Sequence, residues 1–514
     1  MDWHNLIFTI YQVIVIGTVI HVILDNRQPV KTIAWALVIL FVPVVGFIFY
    51  LFFGVNTRRE RLVSRRSLDQ LSKRSMLGFV KQTDLQIPEG LKPTIDLFVN
   101  ESFSLPFNNN KVELLTNGYD FFLSLLRDMA RARSHIHIDV YIFEDDALGR
   151  LVSDMLIAKA REGVEVRIIY DDVGCWSVKN RFFEQMRESG IEVEAFLPVR
   201  FPSFTRKANY RNHRKLFIVD GMVGYIGGMN IAERYVKGIR NRAMQKGNDG
   251  MLPWRDTMAR IEGVGVYSLQ RAFLIDWYFV DRTLLSDRKY YPQQTPEDSS
   301  LKDSSQSSFP LGLSIQTSLP LGGLGRASTS LSTLIQTVTS NPTSPYPELL
   351  QGYVRLISTA RQYIYIETPY FLPTDVVFFA LKTAAIAGAD VRLLVPRYCD
   401  ARFIEWASRS FLREAEESGI HVSLYESGFL HSKLMVIDDI VCTCGSTNFD
   451  FRSLENNFEA NSFFYGADVA IRMREVFLDD LKQSTALSTM PDRMHPKFHV
   501  RLYEGFARLF SPLL

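Results

Sequence analysis

The chain has 514 residues, too many for one ordinary core, so two or more domains are expected. Hydrophobic residues make up 47%, enough for packed globules with room for membrane segments. The formal net charge of +2 excludes a body that seeks nucleic acid by bulk charge and makes any basic attraction local.

Two N-terminal stretches, "LIFTIYQVIVIGTVIHVIL" (6–24) and "TIAWALVILFVPVVGFIFYLFF" (32–53), contain no Asp, Glu, Lys or Arg. Each is long enough to cross roughly 30 Å of hydrocarbon. The first lacks the basic n-region and A-x-A site of a signal peptide. With only "DNRQPVK" between them, residues 1–55 are expected to form a transmembrane hairpin with both ends on one side. Arg58, Arg59, Arg61, Arg65 and Arg66 follow the second stretch, against Arg27 and Lys31 in the connector. The positive-inside bias then places the rest of the chain in the cytoplasm, as a cell-membrane protein with two spans. Pro43 is compatible with a span, because a helix in lipid tolerates proline better than one in water. His4 and His21 are expected to be interfacial or packed.

Residues 56–107 read as a basic linker and irregular surface segment. An α/β alternation then begins. Leu123, Leu126, Met129 and Ala130 fall at helical spacing, and "HIHIDVYIF" alternates as a strand, with His135 and His137 taken as structural. "LGRLVSDMLIAKAREGVEVRIIYDD" repeats helix then strand, with Gly163 at the helix stop. The first unit is expected over 108–282. "DRKYYPQQTPEDSSLKDSSQSSFP" marks a linker, drawn at 283–312, and the pattern restarts in a second unit, 313–500. There "LLQGYVRLISTARQYIYIETPYF" mirrors "FFLSLLRDMARARSHIHIDVYIF", and Ala360-Arg361 match Ala132-Arg133. The stretch "QTSLPLGGLGRASTSLSTLIQTVTSNPTSP" has no evident counterpart in the first unit. Residues 501–514 form an amphipathic tail with Leu502, Phe506 and Phe510 at helical spacing, suited either to a membrane interface or to docking on the body. The four cysteines are not spaced as a disulfide frame or zinc knuckle, and Cys442 and Cys444 read as an alternating strand.

The sharpest repeat is His-x-Lys-x-x-x-x-Asp. It occurs as His213, Lys215, Asp220 in "NHRKLFIVDG" and as His431, Lys433, Asp438 in "LHSKLMVIDD". Fourteen residues after each histidine stands a glycine, Gly227 or Gly445, and three later an asparagine, Asn230 or Asn448. Landmarks in one order make this an internal duplication. In a strand, His and Lys two apart share a face. An imidazole held by a carboxylate can attack phosphorus, and a lysine beside it supplies positive charge for phosphate oxygens. "GGMN" and "GSTN" offer amides for further phosphate oxygens, from Gly228, Asn230, Ser446 and Asn448. One unit supplies a nucleophile without a proton donor for the leaving alcohol; two units facing each other supply both. No carboxylate cluster of the magnesium type is visible, and neither cofactor nor metal is expected. Which imidazole attacks is left open, because the units are symmetric.

The paired H-x-K-x4-D and G-G/S-x-N motifs resemble the phospholipase D superfamily, and the N-terminal hairpin with "YIFEDD" and "IETPYFLPTD" resembles its bacterial cardiolipin synthases in particular. The resemblance covers nearly the whole chain. It implies two homologous α/β halves packed around a shared active site behind the membrane hairpin. It makes His213 the nucleophile, through a phosphatidyl-histidine, and His431 the acid and base. Lys215, Lys433, Asn230 and Asn448 are similar to the family's phosphate-binding residues. Asp256 and Glu459 are expected to orient the histidines. Asp220 and Asp438 complete the catalytic motifs, although strand parity turns them away from the histidines and gives them a stabilising part. The implied reaction joins two phosphatidylglycerol molecules into cardiolipin and glycerol. A hydrolytic phospholipase D, another phosphatidyltransferase, a nuclease and a non-enzymatic lipid-binding protein are the alternatives. The run "RFPSFTRKANYRNHRK", with Lys237, Arg240, Arg242 and Lys246, is expected to meet anionic headgroups in preference to nucleic acid.

Overall fold

The computed structural model describes residues 3–25, 29–50, 54, 85, 87–199, 210–240, 251–292 and 333–513. One 15-stranded sheet runs through both halves. At its middle, Phe107–Leu115 of the first half pairs antiparallel with Thr333–Ser340 of the second, Phe107 opposite Ile335 and Asn110 opposite Thr333. Outward from this seam, the first half continues with Met258–Gly263, Val223–Gly227, Lys215–Val219, His135–Val140, Glu165–Asp171 and Glu192–Phe196. The second half continues in the matching order: Glu459–Tyr465, Val441–Gly445, Leu434–Ile437, Tyr363–Glu367, Asp390–Pro396 and His421–Tyr425, with Ser484–Ala486 added at its edge. The duplication read from the motifs is therefore a duplication of strand order.

The pairing corrects the reading of the region before residue 345. Thr333–Ser340 does have a counterpart, Phe107–Leu115, and the two strands are each other's partners across the seam. Its likeness was hidden because a strand in the middle of a sheet is specified by burial on both faces, which many apolar and small-polar sequences satisfy. In each half three successive strands, His135–Val140, Glu165–Asp171 and Glu192–Phe196 or Tyr363–Glu367, Asp390–Pro396 and His421–Tyr425, are parallel and joined by helices such as Ala147–Arg161, while the inner strands are antiparallel. Gly163, at φ +90°, ends the first crossover helix as expected.

Helix Gly118–Arg131 starts where the Asn117 side chain accepts from the Asp120 amide. Its buried ridge is Phe121, Phe122, Leu125 and Met129, while Leu123 and Leu126 are only half-buried. The period was right and the face was rotated. Helices from each half cover the outer faces of their own strands, but a central core joins the halves: Ile218, Ile226 and Trp277 pack in one cluster with Val436, Phe464 and Phe477.

The segment 56–107, expected to be linker and irregular surface, contains helix Lys92–Ser102. Ile95 and Phe98 are buried in the second half's core with Leu334 and Tyr353, and the Phe98 ring lies 4.7 Å from that of Phe463. Phe98→Ala should therefore destabilise the fold by about 3–5 kcal/mol, read as a lower denaturant midpoint at unchanged slope. Wild-type stability in that variant would place Phe98 outside the core.

The apolar N-terminal stretches form helices Trp3–Asp25, Pro29–Phe41 and Pro43–Phe49, which meet through Val22, Ile39 and Tyr50. His21 is exposed, its ring edge-on to that of Tyr50 at 6.2 Å; the His4 side chain lies outside the described residues. The second stretch is interrupted before Pro43, where Val42 leaves helical geometry at φ −135°, because proline offers no N–H and clashes with the preceding turn. Among the described residues, no helix is long and apolar enough to cross a membrane. Residues 51–53, the arginines after them, 200–209 and 241–250 lie outside the described residues, and so does most of the 283–312 linker.

Candidate active site

Each motif histidine is built at the seam between the halves. His213 precedes strand Lys215–Val219, and its backbone N–H donates to Phe458 O at 2.9 Å in the other half. His431 precedes Leu434–Ile437, and its N–H donates to Arg255 O at 2.7 Å. The strand that each histidine leans on carries a carboxylate one residue further along. His213 Nδ1 therefore lies 3.1 and 3.2 Å from the two oxygens of Glu459, and His431 Nδ1 lies 2.7 Å from Asp256 Oδ2. Both pairs cross between the halves, so neither half alone contains a histidine–carboxylate pair. The sequence named the two carboxylates without matching either to a histidine, and only the packing shows that each comes from the opposite half. The side chains of His213 and His431 are 15% and 10% exposed while both carboxylates are at 0%, so each ring keeps an accessible edge and is held from behind.

The two sites differ in detail. Ser446 donates to Glu459 Oε2 at 2.5 Å and accepts from Ala460 N, and Asn457 donates to Glu459 Oε1 at 3.2 Å. Ser446 thus holds the Glu459 carboxylate in place through its hydroxyl. Gly228, its counterpart, is needed for room: a Cβ there would stand 2.2 Å from Asp256 Oδ1. Gly228→Ala should push Asp256 off His431 and lower kcat by at least about 100-fold, since a displacement of about 1 Å can have that effect. A variant with normal kcat would show that Asp256 need not be where it is.

Asn230 Oδ1 accepts from Ile142 N at 3.0 Å and its Nδ2 donates to the Tyr235 hydroxyl; Asn448 Nδ2 donates to Asp450 Oδ2 at 2.9 Å. Both are buried in the turns after the motif strands. Lys215 Nζ donates to His213 O at 2.6 Å and lies 5.5 Å from the Tyr141 ring centroid. Lys433 Nζ donates to His431 O and stands 2.8 Å from His431 Nδ1. Asp220 and Asp438 are in neither site. Asp220, at φ +53°, accepts from the amides of Arg133, Ser134 and His135, and Asp438 repeats this with Arg361, Gln362 and Tyr363. They tie the far end of each motif strand to the start of its neighbour. Their grouping with the catalytic residues is corrected to the stabilising part that parity suggests.

Burial lowers both imidazoles, and the neighbouring lysine adds to it; Glu459 and Asp256 oppose this, leaving His213 below its ordinary range and His431 at about 4. Burial would raise Glu459 and Asp256, but His213 beside Glu459 and the Lys433 ammonium beside Asp256 hold them below the usual carboxylate range. Burial drops Lys215 to about 7 and Lys433 to about 8, against the pull of Glu459 and Asp256. Two neutral imidazoles and two marginal ammoniums form a site that a phosphodiester anion would charge on entering.

Three aromatic residues line the histidines without having been assigned from sequence: Tyr141 at 5.3 Å from His213, and Trp254 and Tyr370 at 5.1 and 6.5 Å from His431, between ring centroids. Tyr141 opens "YIFEDD" and Tyr370 stands in "ETPYF", so the stretches were noticed but no spacing rule picked out the tyrosines. Arg211 and Arg214, expected to face headgroups, are instead buried, paired with Asp171 and Asp276. Arg214 also donates to Ser340 O and Glu459 O, tying the halves together. His135 and His137 are buried and share the Gln270 amide, as structural histidines do.

A duplicated α/β fold with two carboxylate-held histidines, each followed by a lysine, defines a phosphodiester-transferring protein of the phospholipase D class. The family model described as "Cardiolipin synthase, PLD-like domain" matches residues 125–244 and 353–481, and "Phospholipase_D-nuclease N-terminal" matches 13–54. The major cardiolipin synthase of Bacillus subtilis is 33% identical over 505 residues, covering 95% of each chain. Cardiolipin synthase 2 of Bacillus anthracis is 36% identical over 511 residues, 97% of this chain and 89% of its own. Among solved structures, the phosphatidylserine synthase of Haemophilus influenzae Rd KW20 shares the fold at TM-score 0.58 and 16% identity, over 82% of this chain and all of its own. The chain belongs to the cardiolipin synthase family of phospholipase-D-like enzymes.

Proposed function

We propose that this protein is a membrane phosphatidyltransferase that makes cardiolipin and glycerol from two phosphatidylglycerol molecules. The observation that carries the mechanism is the pair of histidine–carboxylate contacts crossing between the halves. His213 attacks the phosphorus of one phosphatidylglycerol, the P–O bond to glycerol breaks, and His431 gives its proton to the departing oxygen. His431 then takes the proton of a second phosphatidylglycerol's hydroxyl, whose oxygen displaces His213 from phosphorus. The bound anion raises the affinity of His431 for the proton it must deliver and of Lys215 and Lys433 for theirs. Family resemblance assigns the attack to His213, and an asymmetry favours it: Nδ1 of His213 faces only Glu459 oxygens, while Nδ1 of His431 stands between Asp256 and the Lys433 ammonium. Asn230 and Asn448 steady the turns that face phosphate oxygens.

The N-terminal helices are read as a two-span hairpin with the catalytic body cytoplasmic. Support comes from the charge-free apolar stretches, the arginines that follow them and the outward-facing apolar side chains, Leu24 at 80% and Phe41 at 81% exposure. A lipid acceptor outcompetes water where the cleft is apposed to the membrane. Nucleic acid is not an expected partner, since net charge is near zero and Arg211 and Arg214 are committed to buried ion pairs.

The test is to incubate the full chain in phosphatidylglycerol vesicles, with and without chelator, and identify every product. Cardiolipin with released glycerol at an undiminished rate under chelator supports the reading. Phosphatidic acid in place of cardiolipin would make the enzyme a hydrolase.

A further inference from the structure

The C-terminal helix Phe498–Leu509 is amphipathic in the reverse sense to a docked surface helix. The face it lays on helix Arg402–Glu417 is polar and small: Glu504 pairs with Arg413 at 2.7 Å, Arg508 pairs with Glu414 at 2.7 Å, and Ala507 is fully buried. The opposite face carries Phe498, Leu502, Phe506 and Leu509, at 81, 61, 56 and 75% exposure. A helix turned toward a protein core puts its apolar stripe inward, so this stripe is built for an apolar surface outside the described body.

Charge identifies that surface. Between His495 and Leu513 the only acidic residue is Glu504, and it is buried in its ion pair, while Lys497, His499 and Arg501 are exposed beside the stripe. Exposed cations flanking an apolar and aromatic face, with no exposed acid, fit anionic lipid headgroups over acyl chains. Tyr503 and Phe510 continue the strip onto Trp406 and Phe403, at ring distances of 5.7 and 5.8 Å. The last turn, Ser511–Leu513, packs on Phe451–Glu455, the short helix that follows Asn448 and Asp450. The apolar strip therefore ends on the helix that follows the Asn448 turn of the second half.

We propose that helix Phe498–Leu509 lies on an anionic bilayer, apolar face down, and seats the active-site cleft against the lipid surface. Its purpose rests on the phosphatidyl-transfer reading above, but the contact is measurable without turnover. The two ion pairs to Arg402–Glu417 fix the helix on the body, so contact with lipid sets the height of the cleft over the membrane independently of the N-terminal helices.

The test uses the full chain in phosphatidylglycerol vesicles with a nitroxide on Leu502→Cys in a Cys399→Ser background. Collisions with membrane-dissolved oxygen should exceed those with a water-soluble nickel chelate, several-fold more than for a label on exposed Asp492→Cys. In parallel, the combined variant Phe498→Ser, Leu502→Ser, Phe506→Ser and Leu509→Ser should lose roughly tenfold or more of its rate on vesicles. It should keep wild-type turnover on short-chain phosphatidylglycerol dispersed as monomers. A nickel-accessible label would overturn the proposal, as would spin–spin broadening that places a second copy on this face. Equal losses on both substrates would overturn the seating role. A lipid-buried label on a wild-type chain that makes no cardiolipin would leave the contact standing and remove the reading of the reaction.

Discussion

Alanine at His213 or at His431 should each lower turnover by about 10⁴-fold or more while the fold survives. Both rings sit at the seam with one edge accessible, and the fold's apolar core lies elsewhere, so each variant should remain folded with a cooperative unfolding transition. The loss follows from dividing one task between two imidazoles: without His213 there is no group to carry the phosphatidyl moiety, and without His431 glycerol must leave as an alkoxide. The variants separate the roles. Digests quenched in alkali, where a phosphoramidate survives, should show a phosphatidyl adduct on the His213 peptide in the wild type and none in His213→Ala. An adduct on His431 would reverse the assignment, and near-normal activity in either variant would end the two-histidine mechanism.

The second large effect concerns Glu459→Gln, which should reduce kcat/KM by roughly 10³–10⁴-fold, as when an amide replaces the carboxylate behind a catalytic imidazole. The amide can no longer hold the imidazolium, and it also removes the charge that most supports Lys215. The sign is set by Lys215: its ammonium is present below about pH 7 and lost above it, so the wild-type kcat/KM should fall on the alkaline side as Lys215 and then Lys433, at about 8, lose protons. Without Glu459 the limb belonging to Lys215 moves to lower pH. Asp256→Asn should move the Lys433 limb in the same direction, because Asp256 is that lysine's main support. An alkaline limb that stays in place in both variants would show that these lysines do not titrate in the working range.

How the halves are divided explains which parts of this were legible. His213, Lys215, His431 and Lys433 were legible because the same histidine–lysine spacing occurs twice in the chain. Asp220 and Asp438 were visible as motif members but not as turn anchors, since three amides of a strand more than 70 residues away in sequence complete their role. Ser446 and Gly228 share one position in the repeat, and only the neighbouring carboxylates show why one needs a hydroxyl and the other needs space. Arg211 and Arg214 looked like surface cations because a sequence does not reveal that Asp171 and Asp276 lie underneath.

The amino-acid sequence by itself determined the duplication, the α/β alternation, the apolar N-terminus and the four basic side chains of the paired motifs. These are properties of local pattern: hydrophobic period, spacing within a strand, and residue type. Tertiary structure alone decided that each histidine takes its carboxylate from the opposite half and that Thr333–Ser340 closes the sheet against Phe107–Leu115. It alone turned the C-terminal helix with its apolar face outward. Those outcomes depend on which strand edges and faces meet, and such pairings join residues that are distant along the chain and carry no shared local period.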